Sequence, residues 1–178
     1  MTDHSRHQVE EFEALFVTNR LDILKYLIRR CTDTDEAADA LAETFLVAWR
    51  RIDVVPEGIE GRLWLFGVAR NVLLKQHKRR QFTIAISERL KTELRSVAMT
   101  STDDRLEGAV HGALSELSKS DREVVELSAW EELTPFEIAA VIGISPNAAR
   151  VRLHRARQRL ADILLQSELR TRDIDFFP

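Results

Sequence analysis

Residues 133–160, LTPFEIAAVIGISPNAARVRLHRARQRL, decide the fold. Thr134 offers an N-cap and Pro135 follows at the first helical position, where its missing N–H costs nothing. Glu137 stands three residues after the cap, the spacing of a capping box. Ile138, Ala139, Val141 and Ile142 then form an apolar stripe at helical spacing. Gly143 permits the backbone to turn, and Ser145 followed by Pro146 repeats the cap-plus-proline signature. Two capped helices across so short a turn predict a helix-turn-helix.

At about 100° per residue, Ala149, Leu153, Ala156 and Leu160 share the inward face of the second helix. Asn147, Arg150, Val151, His154 and Arg155 point the other way, with Arg152, Arg157 and Arg159 on the flanks. Residues 145–160 carry five arginines and no acid. Arginine can donate twice to guanine and asparagine can pair with an adenine edge, so this face suits the major groove. The flanking arginines suit phosphates, which position a protein without specifying sequence. A solvated basic face on an ordinary helical hairpin explains the arginines but not the double capping.

The net charge of −3 conceals a segregation. Residues 61–80 hold six basic residues and no acid, and residues 145–160 hold five; the rest of the chain is left with 15 basic against 29 acidic residues. Two basic patches on an acidic body imply two localised polyanion contacts. Glycine and proline are scarce and strand-like alternation is absent, which predicts an all-α chain. With Cys31 alone there is no intrachain disulfide, and no Cys/His cluster has zinc spacing. His4 and His7 make no metal site by themselves. No cofactor is expected, and no paired carboxylates, nucleophile motif or phosphate loop suggest an enzyme. No apolar run approaches ~20 residues and the polar N-terminus lacks a signal-peptide pattern, so a cytoplasmic protein without membrane contact is expected.

Going outward, residues 9–30 predict a first helix with Phe12, Leu15, Phe16, Ile23, Leu24, Leu27 and Ile28 as its stripe. A polar break with Asp33 and Glu36 in capping-box spacing precedes a second helix over 34–52. Its buried side is read as Ala37, Ala38, Leu41, Phe45, Ala48 and Trp49, and its polar side as Asp39, Glu43 and Arg50. Residues 53–60, with Pro56 and Gly58, predict a loop. A third helix over 62–81 turns Leu65, Val68, Ala69, Val72 and Leu73 inward and Arg70, Asn71, Leu74 and Lys78 outward. Trp64, Phe66 and Phe82 accompany its cations; aromatics so placed can stack unpaired bases or fill the core. Residues 83–105 predict a flexible linker. Residues 106–117 and a helix capped by Ser120, with Glu123 as its box and Val124, Val125, Leu127 and Trp130 as its apolar residues, complete a four-helix domain.

Three stretches in order resemble the bacterial extracytoplasmic-function (group IV) sigma factors of RNA polymerase. Residues 35–51, DEAADALAETFLVAWRR, are similar to the region 2 helix that grips the polymerase clamp. Residues 64–80, WLFGVARNVLLKQHKRR, are similar to the region that melts and holds the −10 element, and residues 117–160 to region 4, which reads the −35 element. The resemblance implies a region 2-like domain at 8–82, a linker at 83–105, a region 4-like helix-turn-helix domain at 106–166 and a tail at 167–178, read as frayed. It makes Asp39, Glu43 and Arg50 core-polymerase contacts. It makes Arg62, Trp64, Arg70, Asn71, Lys75, Lys78, Arg79 and Arg80 contacts to the −10 strand. Asn147, Arg150, Val151, Arg152, His154, Arg155 and Arg157 become −35 contacts. The implied partners are core RNA polymerase, promoter DNA and an anti-sigma factor.

The sequence departs from the family's habit at Ala42, where glutamine is usual, at Asn147, Ala148 and Ala149, where Gly-Thr-Val is common, and at Val151, where serine is common. The last four bear on −35 preference rather than fold. The alternative reading is a stand-alone helix-turn-helix regulator, which would bind duplex DNA without polymerase as a dimer on a palindrome.

Overall fold

The computed structural model describes the backbone of residues 3–91 and 105–174, and side chains over 6–80, 110 and 112–166. Within those residues the chain is all-α: α1 (Asp3–Ile28), α2 (Thr34–Arg50), a single 3-10 turn (Ile52–Val54), α3 (Gly58–Lys91), α4 (Arg105–Glu116), α5 (Lys119–Ala129), α6 (Pro135–Ile142) and α7 (Pro146–Ile174). They divide into two compact units, one built on α1–α3 and one on α4, α5, the first five residues of α6 (135–139) and α7. No described helix is long and apolar enough to cross a membrane.

In the first unit Ile23, Tyr26 and Leu27 of α1, Ala37, Ala40, Phe45 and Ala48 of α2, and Leu65, Phe66, Ala69, Val72 and Leu73 of α3 are buried together. The alanines of α2 let its neighbours approach closely. An aromatic group binds α1 to α2: Phe16 meets Phe45 edge-on at 4.8 Å, and Phe12 meets Trp49 at 5.2 Å. α2 starts where its capping residues predict, with the Glu36 N–H donating to Asp33 Oδ1 at 2.7 Å. The return bond goes one residue further back than a standard box, from the Thr32 N–H to Glu36 Oε2 at 2.8 Å.

Several readings of this unit change. Trp49 keeps 41% of its surface exposed and Ala38 is exposed, because the apolar arc of α2 is wider than its two neighbours can cover. Ile28 is exposed at the end of α1. The expected loop at 53–60 shrinks, since a 3-10 turn takes its start and α3 its end. Gly61 is buried there, and a Cβ on it would collide with the Pro56 carbonyl oxygen. α3 also outruns its expected end and takes residues 83–91 from the stretch read as linker. No glycine or proline stands between Gly67 and Gly108 to stop it. Residues 92–104, the Phe82 side chain and the end of the tail at 175–178 lie outside the described residues.

The second unit buries Ala113, Leu114 and Leu117 of α4 with Val124, Val125 and Leu127 of α5, Ile138 and Ala139 of α6, and Ala149, Leu153 and Ala156 of α7. The α5 cap is Ser118, not Ser120: the Asp121 N–H donates to Ser118 Oγ at 3.1 Å. The helix therefore starts two residues early, with Asp121 buried in its first turn and facing Arg159 of α7. Trp130, read as one of the apolar residues of this helix, is half exposed just past the end of α5. α7 runs through much of the expected tail, to Ile174, for the same lack of breakers.

Candidate nucleic-acid interface

The helix-turn-helix is built from backbone outward. The Thr134 N–H and hydroxyl both donate to Glu137 Oε2, at 2.8 and 2.7 Å, and the Glu137 N–H returns to Thr134 Oγ1 at 3.3 Å. Gly143 takes φ +74°, and the Ile144 N–H reaches back to the Ala139 carbonyl at 3.1 Å, the closing bond of a Schellman turn. The Ala148 N–H donates to Ser145 Oγ at 3.2 Å and starts α7. Every one of these contacts is local and polar.

Asn147, Val151 and His154 lie in one exposed row along α7, with exposed Arg150 and Arg155 on either side and half-buried Arg152 at the flank. Gln158 continues the row one turn on and is exposed; its period marked it, but its neutral side chain drew no notice. Arg150 Nη2 donates to Asn147 Oδ1 at 2.9 Å, so the two polar side chains nearest the helix start are held together. The positive end of the helix dipole adds to their field. Arg157 is exposed but turns back to α5, donating to Ser128 Oγ at 2.7 Å; a phosphate contact would require giving up that bond. Arg159 is paired with Asp121, so it fastens α7 to α5.

The basic face of α3 is sorted in the same way. Asn71, Lys78 and Arg79 are exposed, Arg70 and Trp64 are half-buried, and exposed Leu74 and His77 stand among them. Phe66 is fully buried, edge-on to Tyr26 at 5.4 Å, which makes it core and removes it from any stacking role. The partners of Arg62, Arg80 and Lys75 lie inside the unit. Arg62 pairs with Asp22 of α1 at 3.1 Å and lies 5.0 Å over the Phe66 ring. Arg80 pairs with Glu36 at 3.1 Å and donates to Thr32 Oγ1 at 2.6 Å. Lys75 pairs with Glu43 of α2 at 2.8 Å. Asp22 and Glu36 were not foreseen in this role; Glu36 was visible only as a capping residue.

On α2, Asp39, Glu43, Leu46 and Arg50 share one line of the helix; Asp39, Leu46 and Arg50 are exposed and Glu43 half-buried. Exposed Trp49 borders this line, and its indole and Leu46 were not nominated with the charges. Cys31, between α1 and α2, has its thiol pushed up to about 11 by burial, with the neighbouring Glu36 and then Asp33 adding to the effect and Arg80 opposing it.

The sigma-70 region 2 family matches residues 15–83, and the sigma-70, region 4 family matches residues 107–160. RNA polymerase sigma factor CarQ of Myxococcus xanthus is 32% identical over 161 residues, which is 90% of this chain and 92% of CarQ. ECF RNA polymerase sigma factor SigM of Bacillus subtilis is 31% identical over 141 residues, 78% of this chain and 86% of SigM. In three dimensions, the sigma factor RpoE of Bartonella quintana, solved with the anti-sigma factor NepR, superposes with a TM-score of 0.67 at 25% identity over 87% of this chain and 97% of RpoE. CnrH, solved with the cytosolic domain of CnrY, gives 0.59 at 26% identity over 86% of each chain. A stand-alone helix-turn-helix regulator has no use for the region 2 unit. Both regions stand here in family order, and the chain belongs to the extracytoplasmic-function (ECF) RNA polymerase sigma factors, proteins that direct transcription initiation.

Proposed function

We propose that this sigma factor reads the −35 element with the exposed row of α7 and engages the opened −10 strand with the outer face of α3. The observation that carries the reading is the acid-free row of Asn147, Val151 and His154 between Arg150 and Arg155, on a helix that Ser145 caps directly after the turn at Gly143. Arg150 and Arg155 contact bases or phosphates, with Arg152 and Arg157 on the backbone. On α3, Arg70, Asn71, Lys78 and Arg79 contact the strand, and Trp64 offers an edge for stacking. Lys75 reaches phosphate once freed from Glu43, while Arg62 and Arg80 serve by holding the helix in place. Asp39, Glu43 and Arg50 face core polymerase, with Leu46 and Trp49 supplying apolar area beside them.

The work is binding rather than catalysis, and it is done in the cytoplasm, where polymerase meets promoter DNA. The domains are a polymerase and −10 unit over 8–82, a connection over 83–105 and a −35 unit over 106–166. RpoE and CnrH were solved with NepR and CnrY, which supports an anti-sigma partner for this chain. In vitro transcription with bacterial core polymerase and a randomised promoter library tests the reading. Transcripts starting downstream of one −35/−10 pair, lost in an Arg150→Ala, Arg155→Ala double variant, are expected. Initiation that ignores sequence, or none at any template, overturns it.

A further inference from the structure

The ion pairs Glu36–Arg80 and Glu43–Lys75 both join α2 to α3, and they differ in kind. Glu36 is only 12% exposed; its carboxylate also accepts from the Thr32 N–H, and Arg80 adds a bond to Thr32 Oγ1. That arrangement is closed on itself and ties the start of α2 to α3. The second pair, Glu43 to Lys75 at 2.8 Å, is open: Glu43 is 31% exposed and Lys75 is 55% exposed. Among the described residues no second hydrogen bond accompanies it. Exposed pairs of this kind contribute little to stability and exchange readily with competing charges.

Glu43 also sits in the middle of the line of α2 that runs Asp39, Glu43, Leu46, Arg50. Lys75 stands at the border of the basic face of α3, one residue from exposed Leu74. A single carboxylate therefore belongs to one binding face and neutralises a cation of the other.

We propose that Glu43 is a latch on the DNA face: in the free protein it holds Lys75 and removes one cation from the surface offered to DNA. A basic group of a partner that takes the Glu43 carboxylate releases Lys75 to a phosphate. This deepens the reading of α2 as the polymerase face and α3 as the −10 face, and rests on it. Because coupling between two binding events is reciprocal, DNA held by Lys75 in turn leaves Glu43 open to the partner. The free sigma factor is thereby kept from spending its full positive charge on nucleic acid before it has joined polymerase.

The test uses the full chain, without polymerase, and a fluorescein-labelled oligothymidylate as the single-stranded probe, with anisotropy followed over a salt series. Glu43→Gln is expected to tighten binding roughly two- to fivefold at 0.1 M salt and to steepen the log–log salt slope by about 0.7, one additional phosphate contact. In a Lys75→Gln background the same change is expected to do nothing. Asp35→Asn, which removes one charge from an exposed site in the first turn of α2, is expected to leave the slope unaltered. Two results overturn the latch: no tightening in Glu43→Gln, or a gain that persists when Lys75 is gone. Those outcomes are separate from failure of the parent reading, which shows as wild-type protein that supports no promoter-dependent transcription with core polymerase.

Discussion

Arg62 Nε and Nη2 both reach the same oxygen of Asp22, each at 3.1 Å, and so join α3 to α1. The guanidinium also covers the Phe66 ring, the largest aromatic surface in the α3 part of the core. An arginine so committed is expected to act on fold more than on DNA. Arg62→Ala is expected to lower the stability of the first unit by about 1 kcal/mol, from a partly exposed pair plus a cation–π contact. Urea denaturation reads that loss. The salt slope for single-stranded DNA is expected to stay put; a drop of about 0.7 would return Arg62 to the phosphate contacts.

Gly61 is required by space rather than by a special dihedral angle. Gly61→Ala drives a methyl group into the Pro56 carbonyl, a backbone atom that cannot swing aside. A loss of about 2–3 kcal/mol is expected, at the upper end of overpacking costs. A thermal melt of Gly61→Ala that matches wild type would mean the 55–57 segment moves freely.

Trp64 and Phe66 stand two residues apart on α3 and face different surroundings. Phe66→Ala is expected to cost about 3–5 kcal/mol by opening a cavity against Tyr26. Trp64→Ala is expected to cost far less stability but to slow promoter opening, read by permanganate reactivity of unpaired thymines in the holoenzyme. Equal permanganate footprints in Trp64→Ala and wild type would place Trp64 with the core.

Arg150 and Arg155 flank the outward row of α7 from opposite sides. Replacing either with alanine is expected to weaken holoenzyme binding to its promoter. A base reader loses about 1–3 kcal/mol at one base pair, whereas a phosphate contact loses affinity for every sequence and lowers the salt slope by about 1. Footprinting on a panel of −35 variants separates the two roles.

Cys31 gives a pH dependence with a definite sign. Its folded value is raised from about 9 to about 11, so the folded state favours the neutral thiol. The associated stability is fully present below the unfolded value and is lost as pH rises through about 11. Wild type is expected to lose more stability than Cys31→Ala between pH 9 and 11. Alkylation of folded protein by iodoacetamide at pH 8 is expected to be slow, since the thiolate is the reactive form. Fast alkylation without unfolding would contradict this.

The helix-turn-helix was legible because all its determinants are local: Thr134 with Glu137, Gly143, and Ser145 before Pro146 are read within a few residues of one another. The fate of each cation was not legible. Periodicity places Arg80, Lys75 and Arg159 on faces, but it does not say that Glu36, Glu43 and Asp121 face them from other helices. Hydrophobicity likewise put Trp49 on the buried side of α2 and Trp130 among the apolar residues of α5, although each lies where its unit has no further layer to cover it. The length of α3 was underestimated because polar composition was taken for flexibility, whereas a run free of glycine and proline sustains a helix.

The turn before α7 is held by Thr134, Glu137, Gly143 and Ser145, and the helix is anchored by Ala149, Leu153 and Ala156. None of these belongs to the outward row. Positions 147, 150, 151, 154, 155 and 158 can therefore be exchanged with little penalty to folding, since exposed substitutions away from caps and core alter stability only slightly. On the proposed −35 reading, vocabulary and scaffold are therefore separable: a few solvent-facing letters can be edited toward a new target site while the mount that carries them stays as it is.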